Sequence, residues 1–170
     1  MTSIRELAID DAAALGKLLD NNELDLGYMT HNPKNDVMRF ASVEDYVSSL
    51  LEVEDARFFA IEHCDSLVGV ISLLSIANGA AELSYCNLSP TLTNKGIMTQ
   101  AVRLITDYAF STTQLDMVYC YINNKNIASI KVAAKNKFAL VGRSIKSNDV
   151  SRYEMTRTGW NRKKAKELRS

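Results

Sequence analysis

The feature that most constrains the fold is the stretch 82–110, which predicts a strand, a short loop and a long helix. Residues 81–88 are rich in apolar side chains and bounded by turn residues, as strands are. From Ile97 onward, apolar residues recur at helical spacing along one broad face. The loop 91–96 enters this helix where several backbone N–H groups lack a partner within the helix, so it is a candidate anion site with phosphate as the usual ligand.

Three residues of this loop favour a ligand, although a purely structural explanation stays open. Gly96 allows a close approach to the backbone, Asn94 tolerates a left-handed conformation, and Lys95 adds positive charge. Strand–loop–helix joins with one Gly and one Lys also occur in many α/β proteins that bind nothing there. The loop matches neither the Walker A spacing nor the dinucleotide fingerprint.

Composition predicts one domain without a metal or nucleic-acid partner. The chain has 170 residues, 46% of them hydrophobic, and 20 basic residues balance 20 acidic ones. Nucleic-acid binders usually carry a basic excess. Basic residues gather only near the end, so we expect a domain at 1–160 and a basic tail at 161–170, either a solvated helix or a frayed end, with an RNA contact as the alternative.

Cysteine usage and hydropathy predict the setting of the protein. The three cysteines have no zinc-ligand spacing, and two of them lie in predicted strands. We find no apolar signal segment and no apolar run approaching the ~20 residues of a membrane span. We therefore expect a soluble cytoplasmic protein with no bound metal and no membrane contact.

The order of predicted elements indicates an α/β (α+β) fold with a mixed, mostly antiparallel sheet flanked by helices. Asp10 and Asp11 are predicted N-caps of a first helix, a polar loop follows at 21–36, and a capping-box-like 42–45 opens the next helix. Asn78-Gly79 is a strong hairpin signal. Further helices are predicted from residue 97 and at 126–136. The predicted strands are 3–9, 57–63, 67–74, 81–88, 117–122, 138–144 and 150–156.

Two pairings within this sheet are predicted specifically. The three strands between 57 and 88 form an antiparallel meander, with a tight turn at 64–66. Strand 117–122 follows a crossover helix, so it runs parallel to strand 81–88. The last two strands form a hairpin across 146–149.

Four segments in this order resemble the GNAT acetyltransferase superfamily, and within it the ribosomal-protein N-terminal acetyltransferases of the RimJ/RimL group. Residues 68–72 look like the family's third strand, and A-E-L-S-Y at 81–85 resembles the group's A-E-I-G-Y. N-K-G-I-M-T-Q-A at 94–101 resembles G-x-G-I-M-T-E-A. Residues 126–138 resemble N-x-x-S followed by V-A-x-[RK]-N-G-F. The resemblance covers nearly the whole chain.

The chain departs from the family pattern at five positions. Asn94 replaces the first glycine of the loop and Thr91 replaces its Gln or Arg. Lys137 replaces a glycine at a helix end, which predicts a reshaped or strained end. Cys86 and Ser84 stand where the group often has Trp and Gly. These changes bear on acceptor preference and on cofactor affinity.

The resemblance implies acetyl-CoA as co-substrate, bound where the fourth and fifth strands splay apart. The pyrophosphate would lie on the N–H groups of 93–99, and pantetheine on the strand edge 85–88. Asn126 would hold the pantetheine arm. The implied cofactor-binding residues are Tyr85, Cys86, Asn87, Leu88, Thr93, Asn94, Lys95, Gly96, Ile97, Met98, Thr99 and Asn126.

The resemblance also implies two catalytic residues. Glu82 would accept a proton from the amine, and Ser129 would lie near the departing thiolate as hydrogen-bond or proton donor. A solvent-facing strand residue and an ordinary first-turn serine are the structural alternatives. The family's tyrosine acid corresponds to Ala133 here. We interpret Tyr85, Tyr121 and Cys120 as packing residues, and His31 as an exposed loop residue that could instead line the acceptor mouth.

Three functions remain open from the sequence. The first is acetyl transfer to a protein N-terminal α-amine, by resemblance that of a ribosomal protein, with a homodimer common in the group. The second is acetylation of a small amine such as a polyamine, an aminoacyl nucleotide or a drug. The third is a non-catalytic acyl-CoA-binding module. Four acidic residues could line the mouth for a cationic acceptor, or simply be solvated: Asp20, Glu23, Asp25 and Asp36.

Overall fold

A seven-stranded sheet forms the centre of the computed structural model, which describes residues 1–21, 23, 26–29, 31–144 and 147–169. The strand order is β1-β2-β3-β4-β5-β7-β6, and all neighbours except β4 and β5 are antiparallel. The strands are β1 Thr2–Glu6, β2 Arg57–His63, β3 Ser66–Ala77, β4 Ala80–Asn87, β5 Met117–Asn123, β6 Ala139–Ser144 and β7 Ser147–Thr156. The predicted mixed, mostly antiparallel sheet is confirmed.

Helices cover both faces of this sheet and bury two hydrophobic clusters. The larger cluster includes Ile105 of α4, and the smaller one includes Leu15 of α1 and Val47 of α3. The last helix, α6, contacts α4, where Trp160 and Lys164 both donate to the Asp107 carboxylate. The helices are α1 Ala12–Leu19, α2 Pro33–Val37, α3 Val43–Leu51, α4 Ile97–Thr112, α5 Ile127–Lys135 and α6 Arg157–Glu167. No described helix combines the length and the apolar character that crossing a bilayer requires.

Strands β4 and β5 pair over only three residues and then diverge. Their parallel register joins Ala80 to Met117, Ala81 to Val118 and Glu82 to Tyr119. From residue 83 onward, β4 still pairs with β3, but among the described residues no strand pairs with its other edge. The predicted parallel pairing and the splay of the fourth and fifth strands are both confirmed.

Local turn chemistry explains why the predicted hairpins are correct. Cys64 and Asp65 join β2 to β3 with φ angles of 50° and 61°, and Asn78 and Gly79 join β3 to β4 with φ angles of 51° and 74°. Two successive residues at positive φ are the mark of a type I′ hairpin turn, whose twist matches that of the flanking strands.

Several predicted boundaries were wrong for identifiable reasons. β1 ends at Glu6, because Ile9–Asp11 forms a 3-10 turn rather than the end of a strand. Asp11 does not cap α1 with its side chain; its carboxylate instead pairs with Arg5 and accepts a hydrogen bond from the Ala8 N–H. β7 begins at Ser147, so residues 147–149 of the predicted turn belong to a strand, and Lys146 falls outside the described residues.

The predicted loop 21–36 contains the start of a short helix. α2 begins at Pro33, and the Asn32 side chain accepts hydrogen bonds from the backbone N–H groups of Lys34 and Asn35. An Asn N-cap followed by Pro at the first helical position is a recognised start signal, so this helix could have been predicted. By contrast, the predicted cap of α3 is confirmed, since the Ser42 hydroxyl accepts from the Asp45 N–H at 3.0 Å.

Candidate functional site

The loop before α4 adopts the left-handed conformations that its sequence suggests. Asn94 has φ 61° and Gly96, the N-cap of α4, has φ 78°. No side chain caps α4, so its first N–H groups have no side-chain partner. A Cβ at Gly96 would meet nothing within 4 Å, so this position requires glycine for its φ rather than for space.

These N–H groups border a cleft of about 420 Å³, called here the loop cleft, between the loop, β4 and α5. Three lysines line it: Lys95, predicted from the sequence, and Lys131 and Lys135, which were missed. Lysines at i and i+4 lie on one face of a helix, so their spacing could have revealed Lys131 and Lys135. The predicted residues that line the cleft are Tyr85, Cys86, Asn87, Thr93, Asn94, Lys95, Gly96, Ile97, Met98, Thr99 and Asn126.

Leu88 is the one predicted cofactor-binding residue that does not line the loop cleft. Its side chain is fully buried in the smaller hydrophobic cluster. Its N–H donates to the Val68 carbonyl at 2.8 Å, so that backbone donor belongs to the sheet. The exposed strand edge therefore ends before Leu88.

The start of α5 closes the splay opposite β4. The Asn126 side chain caps this helix by accepting a hydrogen bond from the Ser129 N–H at 3.1 Å. The Tyr85 hydroxyl donates to the Ser129 carbonyl at 3.1 Å, which ties β4 to α5 across the gap. Burial raises the pKa of the Tyr85 phenol above its ordinary value, so this hydroxyl stays protonated at neutral pH.

The end of α5 keeps its turn despite the lysine there. Lys137 has φ 67°, its N–H donates to Ala134, and the Phe138 N–H donates to Ala133. These two bonds make a Schellman motif with Lys in the position that Gly usually takes. The predicted strain is therefore present as a positive φ, while the helix end is not reshaped.

Asn136 is a buried structural residue beside this turn. Its side-chain amide donates to the carbonyls of Thr99 and Val132, both at 3.1 Å, and the residue is only 3% exposed. The bond to Thr99 fixes α5 against the first turn of α4. The sequence motif contained this Asn, but its partner on α4 could not be read from the motif.

A second cavity, of about 220 Å³ and called here the apolar cavity, lies over the opposite face of β3 and β4, beneath α1, α2 and α3. It shares three lining residues with the loop cleft: Met29, Tyr85 and Cys86. The hydroxyl residues Ser72 and Ser84, which face each other across β3 and β4, also line it. The two cavities therefore meet at the splayed part of β4.

Glu82 is the last residue at which β4 pairs with β5, and its side chain contacts His31. The His31 Nε2 and the Glu82 Oε1 are 2.9 Å apart, and His31 also lines the apolar cavity. The hydrogen bond to Glu82 raises the pKa of His31 above its ordinary value. His31 is an exposed loop residue, as the sequence suggested, and it also lines the apolar cavity. Its contact with Glu82 was not predicted, because 51 residues separate the partners and no local pattern joins them.

An aromatic and charged cluster continues the same sheet face beyond Glu82. The Arg152 guanidinium lies 4.2 Å from the Tyr119 ring centre, and its Nε contacts Glu154 at 2.7 Å. Its NH1 also donates to the Tyr121 hydroxyl at 3.3 Å. Tyr121 is engaged in packing and hydrogen bonding, as the sequence suggested.

The buried cysteines are unreactive thiols. Burial raises the pKa of Cys120 to about 12 and that of Cys86 to about 12. A nucleophilic cysteine needs a thiolate near neutral pH. The interpretation of Cys120 as a core residue rather than a nucleophile therefore has a physical basis.

The three described members of the predicted acidic set do not line one cavity. Asp36 lines the apolar cavity, Glu23 lines the loop cleft, Asp20 lines neither, and Asp25 lies outside the described residues. Within the described part of the chain, no group of three or more His, Cys, Asp or Glu residues is arranged to hold a metal ion.

Comparisons with known proteins place this chain in a family. A model described as an acetyltransferase (GNAT) domain matches residues 2–139. The chain is 34% identical over 114 residues to the probable N-acetyltransferase YjcK of Bacillus subtilis (strain 168); this match covers 64% of this chain and 63% of the relative, less than two thirds of its length.

Two solved structures share the fold at low identity. RimL, a ribosomal L7/L12 alpha-N-protein acetyltransferase in complex with coenzyme A, has a TM-score of 0.79 at 20% identity, over 91% of this chain and 93% of that one. Spermidine N-acetyltransferase from Vibrio cholerae, in complex with CoA and spermine, has a TM-score of 0.77 at 18% identity, over 94% and 97%. These likenesses show the fold, and the family match over residues 2–139 shows that the chain belongs to the GNAT acetyltransferase family.

Proposed function

We propose that this protein is an acetyl-CoA-dependent N-acetyltransferase that acts on a primary amine, with a protein N-terminal α-amine as the acceptor. The observation that carries the proposal is the meeting of two cavities at the splay of β4, with the Glu82 carboxylate where the splay begins. A ribosomal-protein acceptor, a homodimer, a cytoplasmic location and the division at residue 160 remain predictions.

The residues of the loop cleft fit acetyl-CoA. Uncapped N–H groups of α4 and the lysines Lys95, Lys131 and Lys135 suit a pyrophosphate. The β4 edge at 83–87 has no neighbour on the β5 side and suits the amide groups of pantetheine. Asn94 keeps the loop geometry at a position where the family has glycine.

The chemistry assigns a proton transfer to Glu82 and a hydrogen bond to Ser129. Acetyl-CoA supplies the acetyl group as a thioester; the amine nitrogen forms a C–N bond to the acetyl carbon, and the C–S bond breaks. The nitrogen then loses a second proton to solvent, and CoA leaves as a thiolate that takes a proton from solvent. Glu82 accepts the proton that the acceptor ammonium must lose before attack. Ser129 donates a hydrogen bond to the leaving sulfur, which needs little further help because thiolates leave readily near neutral pH.

Acetylation of a polycationic small amine is the second candidate, favoured by Asp36 in the apolar cavity. A thiol-release assay on the purified chain, with N-terminal peptides, spermidine and an aminoglycoside as separate acceptors, decides between the candidates. Release that depends on a peptide α-amine supports the main proposal, and release with spermidine alone supports the second. Tight acetyl-CoA binding without release on any amine would leave only the non-catalytic module.

Asn94 offers a direct test of the loop. We expect Asn94→Gly to keep the dissociation constant for acetyl-CoA within about threefold, because both residues tolerate positive φ. Asn94→Val should raise it at least tenfold, because a β-branched residue at positive φ costs about 1–3 kcal/mol. Calorimetric titration measures both. The control is Ser75→Val, the same β-branched residue at a positive φ of 49° outside the loop cleft, which should leave the dissociation constant unchanged. Unchanged binding by the Asn94→Val variant would contradict the proposal.

The contact between His31 and Glu82 predicts how kcat/KM depends on pH. Protonated His31 engages the Glu82 carboxylate and opposes its use as a base, so kcat/KM should fall as pH drops through the raised pKa of His31. His31→Gln should move this acid limb to lower pH and raise kcat/KM severalfold at pH 6, as measured by a pH–rate profile. An unshifted limb would refute this role.

The same pair gives an independent stability readout. A raised folded-state pKa means that protonated His31 contributes stability below its ordinary pKa of about 6.5, and that this contribution is lost as pH rises through the folded-state value. His31→Gln should therefore lower Tm at pH 5.5 and leave it nearly unchanged at pH 9. Thermal unfolding at the two pH values checks the sign.

A further inference from the structure

We infer that the acceptor carries a compact apolar side chain on the carbon that bears its amine, and that this side chain occupies the apolar cavity. The inference rests on the proposed function and names its substrate class. The proposed function assigns roles to Glu82 and to the loop cleft, but neither of them selects the side chain next to the reacting nitrogen.

The walls of the cavity are mainly aliphatic and aromatic. They come from both sides of the cavity, with the sheet as floor and α1 and α3 as roof. Six apolar residues carry the argument: Leu7, Leu15, Leu50, Phe58, Val70 and Leu74. Such walls favour an apolar occupant, because an apolar group gains free energy on leaving water whereas an unpaired polar group loses it.

The size of the cavity sets the size of the occupant. The cavity is open on one side and has about 220 Å³. At ~30 Å³ for each water in the liquid, that volume holds about seven heavy atoms. A Leu, Met or Phe side chain has four to seven heavy atoms and fits this volume.

The position of the cavity relates the occupant to the reacting amine. Met29, Tyr85 and Cys86 line both the apolar cavity and the loop cleft, so a group in one lies beside a group in the other. His31 belongs to the cavity wall and contacts Glu82 at 2.9 Å. An amine on the carbon next to the buried side chain is therefore placed near both the base and the thioester.

The charges of the lining argue against a polycation. Asp36 is the only carboxylate among the described residues that line the cavity, and His31 is already paired with Glu82. Spermidine has three ammonium groups spaced along a flexible chain, and two of them would lie away from Asp36. Burying a cation without a partner is strongly unfavourable.

Matched acceptors test the inference on the full chain at saturating acetyl-CoA. Tetrapeptides that differ only in their first residue, Leu, Phe, Ser or Asp, are compared with isoamylamine and spermidine in the thiol-release assay. We expect kcat/KM to be at least tenfold higher for Leu and Phe than for Ser and Asp, since a few buried methylene groups give discrimination of this order. A kcat/KM for the Ser peptide or for spermidine that equals or exceeds that for the Leu peptide would overturn the inference.

The remaining outcomes are also decisive. Preference for the Leu peptide over isoamylamine assigns the apolar group to a peptide N-terminus, and the reverse assigns it to a small amine; both support an apolar group. Absence of release with every amine would refute the proposed function, and calorimetric binding of Leu and Ser peptides in the presence of CoA would still decide this inference. Equal binding of the two peptides would overturn it.

Filling the cavity provides the structural control. Ser72, on the floor, is 8% exposed, so Ser72→Leu adds apolar volume inside the cavity. KM for the Leu peptide should rise at least tenfold, with KM for acetyl-CoA unchanged. Ser48→Leu, the same substitution at an exposed position of α3, should alter neither constant.

If Ser72→Leu lowers Tm so far that the chain unfolds, Val70→Ile serves as the smaller filling change. We expect it to raise KM for the Leu peptide about threefold, and an unchanged KM would count against the inference.

Discussion

Glu82→Gln is expected to lower kcat/KM for every acceptor amine at least hundredfold. Glutamine has nearly the same shape as glutamate and can still hydrogen-bond His31, but it cannot accept the proton that the acceptor ammonium must lose. General base catalysis is typically worth about 10²–10⁴ in rate, and hundredfold corresponds to ~2.7 kcal/mol of transition-state stabilisation. The loss should appear mainly in kcat, because the amide leaves both cavities unchanged in shape.

The control for this substitution is another carboxylate on the same sheet face. Glu154 lies beyond Tyr119 and contacts Arg152 at 2.7 Å, so Glu154→Gln removes one negative charge near the site without touching the proposed base. We expect its kcat/KM to stay within about threefold of the unmodified chain. Steady-state thiol release measures both variants, and calorimetry with acetyl-CoA checks that the loop cleft still binds.

Two results would contradict this role for Glu82. A loss of less than about tenfold would mean that water or another group removes the proton, leaving Glu82 as a strand residue that only positions His31. An equal loss in Glu154→Gln would mean that negative charge on this face, rather than a base at one position, sustains the activity. A pH–rate profile separates these cases, because only loss of the base removes the acid limb that protonated His31 causes by engaging Glu82.

The loop before α4 was predictable because its determinants are local. The spacing of apolar residues located α4, and Asn94 and Gly96 indicated positive φ, which both adopt. The hairpin at Asn78-Gly79 was predictable for the same reason. In each case neighbouring residues determine the backbone without help from distant contacts.

The candidate site was less predictable, because its geometry joins segments far apart in the chain. His31 meets Glu82 across 51 residues, and Asn136 meets Thr99 across 37. The apolar cavity combines side chains from β2, β3 and β4 with side chains from three helices, and no single segment of the sequence signals it. Leu88 was predicted to bind the cofactor, but its N–H pairs with β3. Strand pairing decides which backbone groups are exposed, and it is a long-range property.

Gly69→Ala is expected to be the most destabilising single-methyl change at the site. Gly69 lies in β3 opposite Asn87, and a Cβ built there would be 2.2 Å from the Cys86 carbonyl oxygen. The obstacle is backbone rather than a movable side chain, so β3 and β4 would have to separate locally. We expect a loss of about 3 kcal/mol or more in the free energy of unfolding, and a Tm lower by roughly 6–12 °C.

The same change should reach the loop cleft, because the strand that must move carries Cys86 and Asn87, both of which line it. KM for acetyl-CoA should therefore rise together with the loss of stability. Gly16→Ala in α1 is the matched control: its Cβ would lie 3.2 Å from a Val43 methyl, a side-chain contact that can adjust, and alanine favours the helix. Thermal and urea unfolding of both variants measure the difference. A Gly69→Ala protein as stable as Gly16→Ala would show that β3 and β4 can shift apart freely, and the rigid strand edge proposed to hold pantetheine would then be wrong.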